Sequence, residues 1–355
     1  MHETILHINL KQLKDNLNFF KKKLKKSTEI IAIVKASAYG LGDVKIARFL
    51  ESIKIKHFWV ADFEEGVTLR KSGIKGSIIV ANPGVKSISK IRDFNLEPVI
   101  FNQKLLNLYS TNKNEFNIHL KFNTGMNRYG FSCNEIKKIT GTLKKSENLT
   151  VKSICSHLTS SDNLNEKNST LNQIKLFIKI TDKMSSGLKY PIKRHILNTN
   201  GILNYSEHQL EMVRIGIGLF GLNQQPELKE ITKLTTSIAQ IREINKGESV
   251  GYNNSFIANK KMIIATVPVG YADGFNRKLG GKGFVLINKV KCPVIGQVSM
   301  DSFITDVSFA NANEGDEVTI FGPNLTIHNL ANMLDTIPYE ILATINKRIK
   351  RVYIS

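Results

Sequence analysis

The sequence predicts an α/β protein with two domains: an N-terminal (β/α)8 TIM-like barrel and a C-terminal, mostly antiparallel β domain. Up to about residue 225, short apolar runs such as EIIAIVK and GSIIVAN alternate with amphipathic stretches such as DVKIARFLES. About eight such repeats favour a barrel of parallel strands. After about residue 230, β-rich segments such as KKMIIATVPVGY are separated by turn signals such as LGGKG. We therefore expect the barrel over residues 1–228 and the β domain over residues 229–355.

A doubly wound parallel sheet is the main alternative for the first domain. Such a sheet binds dinucleotides through a G-x-G-x-x-G loop that follows one of its strands. No loop of that pattern follows any of the apolar runs of this sequence. The barrel is therefore favoured, and in a barrel the active-site residues lie at the carboxyl ends of the strands.

The composition is that of a globular protein with enough apolar residues for a substantial core, since 41% of its 355 residues are hydrophobic. No apolar run approaches the ~20 residues of a membrane span. The N-terminal residues, MHETILHINL, lack the basic and apolar regions of a secretory signal peptide. Cys133, Cys155 and Cys292 are far apart and show no metal-ligand or disulfide spacing. These features predict a cytoplasmic protein that binds neither a membrane nor a metal.

The formal net charge is +20, from 50 lysines and arginines against 30 acidic residues. Such an excess is one feature of proteins that bind nucleic acids or membrane surfaces. The densest cluster, KKKLKK at residues 21–26, ends an amphipathic helix in which Leu10, Leu13, Leu17 and Leu24 recur at helical spacing. Lysines suit the negative end of a helix dipole, and no aromatic residues interleave them. We therefore attribute the charge to solvated lysine-rich faces and expect no nucleic-acid partner.

Polar side chains follow the apolar runs at the points where strands are expected to end. They are Lys35, Asp62, Asn82, Lys121, His157, Asn198 and Arg214. Helix capping alone explains the aspartate and the asparagine that follow the second and third runs. It does not explain four basic groups that would converge on one rim, and such a rim favours an anion. The segment RIGIGLFG adds glycines that let a backbone approach a phosphate closely.

A lysine among other cations on a phosphate-binding rim suggests a pyridoxal phosphate enzyme. Pyridoxal phosphate forms a Schiff base with a lysine amine and needs donors for its phosphate and a partner for its ring nitrogen. Neighbouring cations lower the pKa of a lysine and favour its neutral, nucleophilic form. Lys35, which directly follows the run EIIAIV, is the candidate. The residues alone do not select the substrate.

The stretch VKASAYGLG, which contains Lys35, resembles the cofactor-lysine motif of bacterial alanine racemases, commonly written V-K-A-N-A-Y-G-H-G. Further blocks resemble that family in the family's order: LKFNTGMNRYG, SHLTSSD, RHILNTNGIL, RIGIGLFG, PVGYADGF, GQVSMD and YEILATINKRIKRV. The similarity covers essentially the whole chain. It implies an isomerase that interconverts L-alanine and D-alanine with pyridoxal 5'-phosphate and supplies D-alanine for peptidoglycan. It also implies a cytoplasmic homodimer whose active sites are shared between its two chains.

The resemblance implies two bases that flank the α-carbon of alanine. Lys35 would hold the cofactor and take the α-proton of D-alanine, and Tyr271 would serve L-alanine from the opposite face. Tyr271 and Met300 would reach the site from the β domain of the other subunit, with the backbone amide of Met300 holding the substrate carboxylate. Arg128 would lie near that carboxylate. Lys121 occupies the position of a lysine that is often carbamylated in the family, which would let it pair with the arginine.

The resemblance also implies how the cofactor would be held. Arg214 would face the ring nitrogen, and since an arginine stays protonated it can donate there but cannot hand over a proton. His157 would orient Arg214. The phosphate would be bound by a phenol, a hydroxyl and two backbone amides. These belong to Tyr39, Thr199, Gly216 and Ile217, with Asn198 adjoining them as a further cofactor-binding residue.

The sequence departs from the family pattern near the implied substrate entrance. Ser37 and Leu41 replace an asparagine and a histidine of the lysine motif, Gln297 stands where arginine is common, and Lys347 stands where some members have a tyrosine. These differences leave a broad-specificity amino-acid racemase as the alternative function. A barrel-fold decarboxylase is disfavoured because Arg214 stands where such enzymes place a carboxylate. A non-catalytic carrier is disfavoured because such proteins resemble the barrel alone.

Overall fold

The computed structural model describes residues 3–188, 190–223 and 225–355, and these fall into two compact units. The barrel unit comprises Leu17–Ala38 and Asp43–Gly218. The β-rich unit comprises the residues up to Asn16, Tyr39–Gly42 and Leu219–Ser355. The first strand, β1 (Ile5–Asn9), belongs to the β-rich unit because it hydrogen-bonds into that unit's sheet. The division into functional domains over residues 1–228 and 229–355 stays a prediction.

The barrel unit is built on eight parallel strands, as predicted. They are β2 (Glu29–Ile33), β3 (His57–Val60), β4 (Ser77–Val80), β5 (Glu97–Ile100), β6 (Phe116–Lys121), β7 (Leu149–Cys155), β8 (Lys193–His195) and β9 (Met212–Ile215). The strands follow the order β8-β7-β6-β5-β4-β3-β2-β9. The backbone N–H of Arg214 donates to the carbonyl of Leu197 at 3.0 Å, so β9 also lies beside the segment that follows β8. Aliphatic residues are buried through most of each strand except β8, which consists of Lys193, Arg194 and His195, as parallel strands covered on both faces require.

Helices follow the barrel strands in alternation, which confirms the predicted (β/α) repeat. They are Asp43–Ser52, Phe63–Lys71, Ile88–Asp93, Gln103–Ser110, Ile136–Lys144, Lys167–Leu188 and Thr199–Asn204. Asp62 caps the second of these, because its carboxylate accepts the N–H groups of Glu64 and Glu65 at 3.0 Å. The helix Leu10–Lys23 precedes β2 and ends in three lysines, as the charge pattern predicts.

The β-rich unit contains a nine-stranded sheet. Its strands beyond β1 are β10 (Thr232–Ser237), β11 (Gln240–Ile244), β14 (Met262–Val267), β15 (Phe284–Ile287), β16 (Val290–Ile295), β17 (Phe303–Asp306), β18 (Glu317–Phe321) and β19 (Lys350–Ile354). They follow the order β11-β14-β17-β16-β15-β18-β10-β1-β19. A short hairpin pairs β12 (Ser249–Val250) with β13 (Phe256–Ile257), and two helices cover Ile327–Met333 and Pro338–Ala343. The sheet is antiparallel except where β1 pairs with β19, so the predicted β domain is confirmed. Among the described residues, no helix has both the length and the apolarity to cross a bilayer.

Candidate active site

The carboxyl ends of the barrel strands gather the basic side chains that the sequence predicts. Lys35 comes two residues after β2, Lys121 is the last residue of β6, and His157 comes two residues after β7. Arg214 lies in β9 with its side chain 4% exposed. Burial and the positive charges of Arg214, Lys121, Arg128 and Lys35 hold the pKa of His157 well below its usual range. The basic groups are therefore close enough to act on one another.

Lys35 carries an amine that is easier to deprotonate than that of an ordinary lysine. Burial of its amine lowers its pKa, the positive charge of Arg128 lowers it further, and Glu65 partly offsets both effects. The residue as a whole is still accessible to solvent. A larger neutral fraction makes this amine a better nucleophile and base near neutral pH.

The backbone after Lys35 forms one turn of left-handed helix. Ala36, Ser37, Ala38 and Tyr39 have φ angles of 53°, 54°, 51° and 59°. This conformation costs about 1 to 2 kcal/mol for each non-glycine residue, so the surrounding contacts must stabilise it. The turn explains how the chain leaves a buried strand sharply while the lysine side chain stays at the rim.

The carboxylate of Glu65 fastens this turn to the barrel. One of its oxygens accepts the N–H of Ala36 at 2.7 Å, and the other accepts the N–H of Ala61, just after β3, at 2.7 Å. The same carboxylate also acts electrostatically on Lys35. Glu65 was not among the residues singled out from the sequence. In the sequence it resembles an ordinary acidic residue in the first turn of a helix.

Replacing Glu65 by alanine should destabilise the protein by about 2 kcal/mol, since two hydrogen bonds to an ionised carboxylate are lost next to a strained turn. Urea unfolding of the two proteins measures the difference. Glu64→Ala is the matched control, because Glu64 is the exposed neighbour in the same helical turn. Equal unfolding midpoints for the two variants would contradict a fastening role for Glu65.

The guanidinium of Arg214 is held by backbone carbonyls and histidines. One of its terminal nitrogens, Nη2, donates to the carbonyls of Ser156 at 2.6 Å and Ile196 at 2.9 Å. The same nitrogen lies 3.3 Å from Nδ1 of His157. His157 therefore contacts Arg214, as the family resemblance implies. Burial lowers the pKa of Arg214, although an arginine remains protonated under ordinary conditions.

A second histidine, His195, holds Arg214 from the other side and was missed in the sequence. Nη1 of Arg214 donates to Nδ1 of His195 and also to its carbonyl, the latter at 3.2 Å. His195 is fully buried and packs edge-on against Trp59. Burial and the charge of Arg214 hold the pKa of His195 well below its usual range, so the imidazole is neutral. The signal in the sequence that could have identified His195 was its position in the block RHILNTN, at the end of a short strand.

The predicted phosphate-binding residues of the barrel lie together after β8 and β9. Asn198 caps the helix Thr199–Asn204 and accepts the N–H of Gly201 at 2.8 Å. The hydroxyl of Thr199 accepts the N–H of Gly216 at 3.2 Å, and Ile217 follows directly. A Cβ on Gly218 would lie 2.5 Å from the Phe20 ring and 2.6 Å from the Thr199 side chain, so only glycine fits in this packed segment. The Thr199 hydroxyl and the backbone amide of Gly216 are therefore held close together.

Lys121 and Arg128 form the cationic part of the rim. Burial lowers the pKa of Lys121, and the charges of Arg214, Arg128 and Lys35 lower it further. Its ammonium lies 5.6 Å from the ring centroid of Tyr129. Arg128 is exposed to solvent. A lysine with a lowered pKa has more of the neutral amine that carbamylation requires, but the modification itself stays a prediction.

Tyr271 and Met300 lie side by side on the β-rich unit, far apart in sequence but joined through their backbones. The N–H of Tyr271 donates to the carbonyl of Ser299 at 3.1 Å, and the N–H of Ala272 donates to that of Met300 at 2.9 Å. Both side chains are exposed, by 44% and 59%. They line an open cleft of about 740 Å³ within this unit. Two predicted site residues are therefore presented together to whatever occupies the cleft.

The turn that carries Tyr271 is held by an ion pair below it. The carboxylate of Asp273 accepts the N–H of Gly270 at 2.9 Å and pairs with Arg348 at 2.6 and 2.8 Å. Arg277, which lines the same cleft, donates to the side-chain oxygen of Gln297 at 2.6 Å. The turn that carries Tyr271 is therefore held by other groups, and its conformation does not depend on the Tyr271 hydroxyl.

The remaining predicted residues are Tyr39 and Lys347. Tyr39 belongs to the β-rich unit, where its ring packs against Phe220 and Tyr339 at centroid distances of 5.2 and 5.8 Å. Burial and the neighbouring Tyr339 raise the pKa of its phenol, so it is protonated and able to donate a hydrogen bond. Lys347 is exposed to solvent. The roles given to both residues by resemblance stay predictions.

The chain matches two family models that together span most of its length. The alanine racemase N-terminal domain matches residues 8–224, and the alanine racemase C-terminal domain matches residues 231–353. An alanine racemase of Treponema denticola is 35% identical over 100% of this chain and 99% of its own length. One of Rickettsia canadensis is 34% identical, with 98% of each chain covered.

Solved structures agree with the sequence relatives. The alanine racemase of Bartonella henselae with covalently bound pyridoxal phosphate superposes with a TM-score of 0.91 at 29% identity, covering 100% of both chains. That of Bacillus anthracis with bound L-Ala-P has a TM-score of 0.93 at 26% identity, covering 100% of this chain and 96% of the other. The barrel of basic strand ends, the β-rich unit and these matches agree, and the chain belongs to the alanine racemase family.

Proposed function

We propose that this protein interconverts L-alanine and D-alanine with pyridoxal 5'-phosphate. The observation that carries the proposal is the rim of the barrel. There Lys35, with its lowered pKa, is electrostatically coupled to Arg128, and His157 to Arg214. This arrangement supplies a nucleophilic amine among donors for anionic groups. We further propose that the reaction takes place in the cytoplasm and supplies D-alanine for peptidoglycan.

The residues of the barrel fit pyridoxal phosphate. Lys35 would hold its aldehyde carbon covalently, and Arg214, which can only donate, would hold its ring nitrogen. The hydroxyl of Thr199 and the backbone amides of Gly216 and Ile217, which lie together after β8 and β9, would hold the phosphate. When bound, the cofactor acidifies the Cα–H of an amino acid by accepting electron density into its ring.

The protein's own groups would move the proton. A racemase needs one base on each face of the α-carbon, since a single base tends to return the proton to the face it left. The Lys35 amine would remove or return the proton on the D face, and the Tyr271 phenol would do so on the L face. Arg128 and the backbone amide of Met300 would orient the substrate carboxylate. A donor that stays protonated at Arg214 keeps the ring a weak electron acceptor, which favours proton exchange over loss of carboxylate.

We propose that Tyr271 acts on the site of a second copy of the chain in a homodimer. Its ring and Met300 are exposed on a cleft of the β-rich unit, and such exposed apolar groups are characteristic of an interface. A broad-specificity racemase remains the second candidate, because Gln297 and Lys347 differ from the residues common in the family at the implied entrance.

Shared sites make a clear prediction for mixed dimers. Lys35→Ala and Tyr271→Phe should each keep no more than about one hundredth of wild-type activity alone, yet a refolded 1:1 mixture should regain about one quarter of it, because half the dimers then hold one intact site. Racemisation of L-alanine measures the recovery. A mixture of Lys35→Ala with a Lys35→Ala, Tyr271→Phe double variant is the control and should stay inactive. No recovery in the first mixture would mean that both bases come from one chain.

Circular dichroism of L-alanine incubated with the purified protein and pyridoxal phosphate tests the proposed function. We expect the ellipticity to decay to zero, and L-serine measured in parallel to decay more slowly. Retained ellipticity of L-alanine, with cofactor bound, would overturn the assignment. Equal decay of both amino acids would favour the broad-specificity alternative.

A further inference from the structure

A row of polar side chains crosses the interior of the barrel, where parallel barrels usually pack aliphatic groups. Its members lie on neighbouring strands from β4 to β9: Ser77, Glu97, His119, Ser153, His195 and Arg214. We call this row the buried relay. Most of its members are almost fully buried, with the side chain of Glu97 14% exposed. Buried polar groups need partners, and each member finds one within the row.

The outer half of the buried relay is centred on Glu97. Its Oε2 atom accepts from the hydroxyl of Ser77 at 2.5 Å and lies 2.8 Å from Nε2 of His119. Burial alone would raise the pKa of Glu97, but the hydrogen bonds that it accepts from His119 and Ser77 lower it below its usual value. The outer end is therefore an ionised carboxylate.

The inner half connects His119 to the active-site arginine. Nδ1 of His119 lies 2.6 Å from the hydroxyl of Ser153, which lies 2.9 Å from Nε2 of His195. Nδ1 of His195 accepts from Nη1 of Arg214. A continuous line of hydrogen bonds thus joins Arg214 to Glu97 across five neighbouring strands.

Donor and acceptor counting gives this line a single direction. Arg214 can only donate, so Nδ1 of the neutral His195 accepts and its Nε2–H must donate to Ser153. The hydroxyl of Ser153 then donates to Nδ1 of His119. The remaining His119 N–H donates to Glu97, which as a carboxylate can only accept. Both ends impose the same direction, and neither histidine can change tautomer without breaking a bond.

The relay matters because Arg214 has no acidic partner of its own. Among the described residues, its hydrogen bonds go only to carbonyls and to the two histidines. A buried cation without a counter-charge is costly unless hydrogen-bonded groups carry compensating polarity to it. Glu97 provides a negative charge at the far end of the relay, and each bond in the line is polarised toward it.

We propose that Glu97 is a positioning residue which, through His119, Ser153 and His195, keeps His195 a hydrogen-bond acceptor and so fixes the Arg214 donors for the proposed racemase reaction. The inference rests on the proposed function of Arg214. With Nη1 and Nη2 committed to His195 and the carbonyls, the guanidinium plane is set, and with it the direction of the Nε–H, the one N–H left for the active site. A misaligned donor would weaken the chemistry more than substrate binding.

Two variants interrupt the buried relay at different points. Ser153→Ala removes the central hydroxyl and separates Glu97 and His119 from His195. Glu97→Gln keeps the side-chain volume but removes the charge, and its amide can donate as well as accept, so the direction is no longer imposed from that end. Ser87→Ala is the matched control, because Ser87 is a buried barrel serine whose hydroxyl donates to the carbonyl of Pro83, outside the relay.

The first measurement is the histidine ring ¹⁵N spectrum of the protein without cofactor, with the His195 signals assigned by their loss in His195→Gln. We expect the Nε2–H tautomer alone in the wild type and in Ser87→Ala, where both ends of the line favour it. In Ser153→Ala and Glu97→Gln only Arg214 still favours it, and we expect a detectable share of the Nδ1–H tautomer. Urea unfolding confirms that each variant is folded. A His195 spectrum unchanged in both relay variants would overturn the proposal without reference to any activity.

The second measurement is racemisation by the cofactor-loaded enzymes. In Ser153→Ala and Glu97→Gln we expect kcat to fall about tenfold while KM changes less than about twofold, the size typical of residues that orient a primary ligand. Folded variants with kcat within about twofold of an active wild type would overturn the positioning role alone. An inactive wild type would overturn the proposed function instead, so the two failures are distinguishable.

Discussion

Lys35→Ala should abolish racemisation, with a loss of at least about 10⁴-fold in kcat/KM, because in the proposed reaction one group both holds the cofactor and serves as a base. The visible absorbance of protein-bound cofactor should vanish as well. Lys35→Arg should be equally inactive, since a guanidinium keeps the charge next to Arg128 but offers no nucleophilic amine. Lys75→Ala, at an exposed lysine of the same unit, is the control and should behave like the wild type.

The fold should survive the loss of Lys35, and its stability has a predictable pH dependence. Because burial and Arg128 lower the pKa of Lys35 below its unfolded value, the unfolded chain binds more protons between those two pKa values. The lowered pKa of Lys35 therefore destabilises the native state at neutral pH, and this destabilisation decreases as the pH rises from the folded to the unfolded pKa. Lys35→Ala should be at least as stable as the wild type at pH 7. Unfolding of the variant at pH 7, or retained racemisation, would contradict the role given to Lys35.

The alternating pattern and the position of basic residues after apolar runs were enough to predict the barrel and its rim. Lys35, Lys121 and His157 could be identified because a charged group directly after a buried strand is unusual unless it serves a site. The β-rich unit could be predicted from its turn signals. These are local properties of the sequence, and they do not depend on which distant segments meet.

The hydrogen-bond partners of the candidate site residues come from distant segments of the chain, and these partners could not be predicted. Glu65 contacts Ala36 across 29 positions, and nothing in the helix that contains Glu65 distinguishes it from Glu64. His195 contacts Ser153 across 42 positions. In both cases the strand register of the barrel brings the residues together, and register is a property of the closed sheet.

The left-handed turn after Lys35 shows a second limit of prediction from the sequence. Four consecutive non-glycine residues with positive φ are contrary to local propensity, so no propensity argument could have predicted the turn after Lys35. Gly40 and Gly42, with φ of 85° and 95°, are the only hint that the sequence offers. Conflicts between local preference and observed conformation cluster at functional sites, and this one directly follows the candidate nucleophile.

Tyr271→Phe should lower kcat/KM for racemisation by about 10² to 10⁴-fold, the usual contribution of one general base. The loss must be the same for L-alanine and D-alanine, because the equilibrium constant between enantiomers is one. The two substrates should differ instead in exchange of the α-hydrogen with D₂O. D-alanine should still exchange through Lys35 without racemising, whereas exchange from L-alanine should fall with the racemisation rate.

The structure indicates that Tyr271→Phe removes the phenol hydroxyl without disturbing the turn that carries the ring. Tyr271 is 44% exposed, and its turn is held by backbone hydrogen bonds and by the Asp273–Arg348 pair rather than by the phenol. Cofactor binding and stability should therefore be unchanged in the variant. Tyr252→Phe is the matched control, because Tyr252 is an exposed tyrosine on the same cleft. Loss of cofactor in Tyr271→Phe would indicate a structural role for Tyr271. Equal exchange of the α-hydrogen from both enantiomers would indicate a single base. Either result would exclude the two-base arrangement proposed for Lys35 and Tyr271.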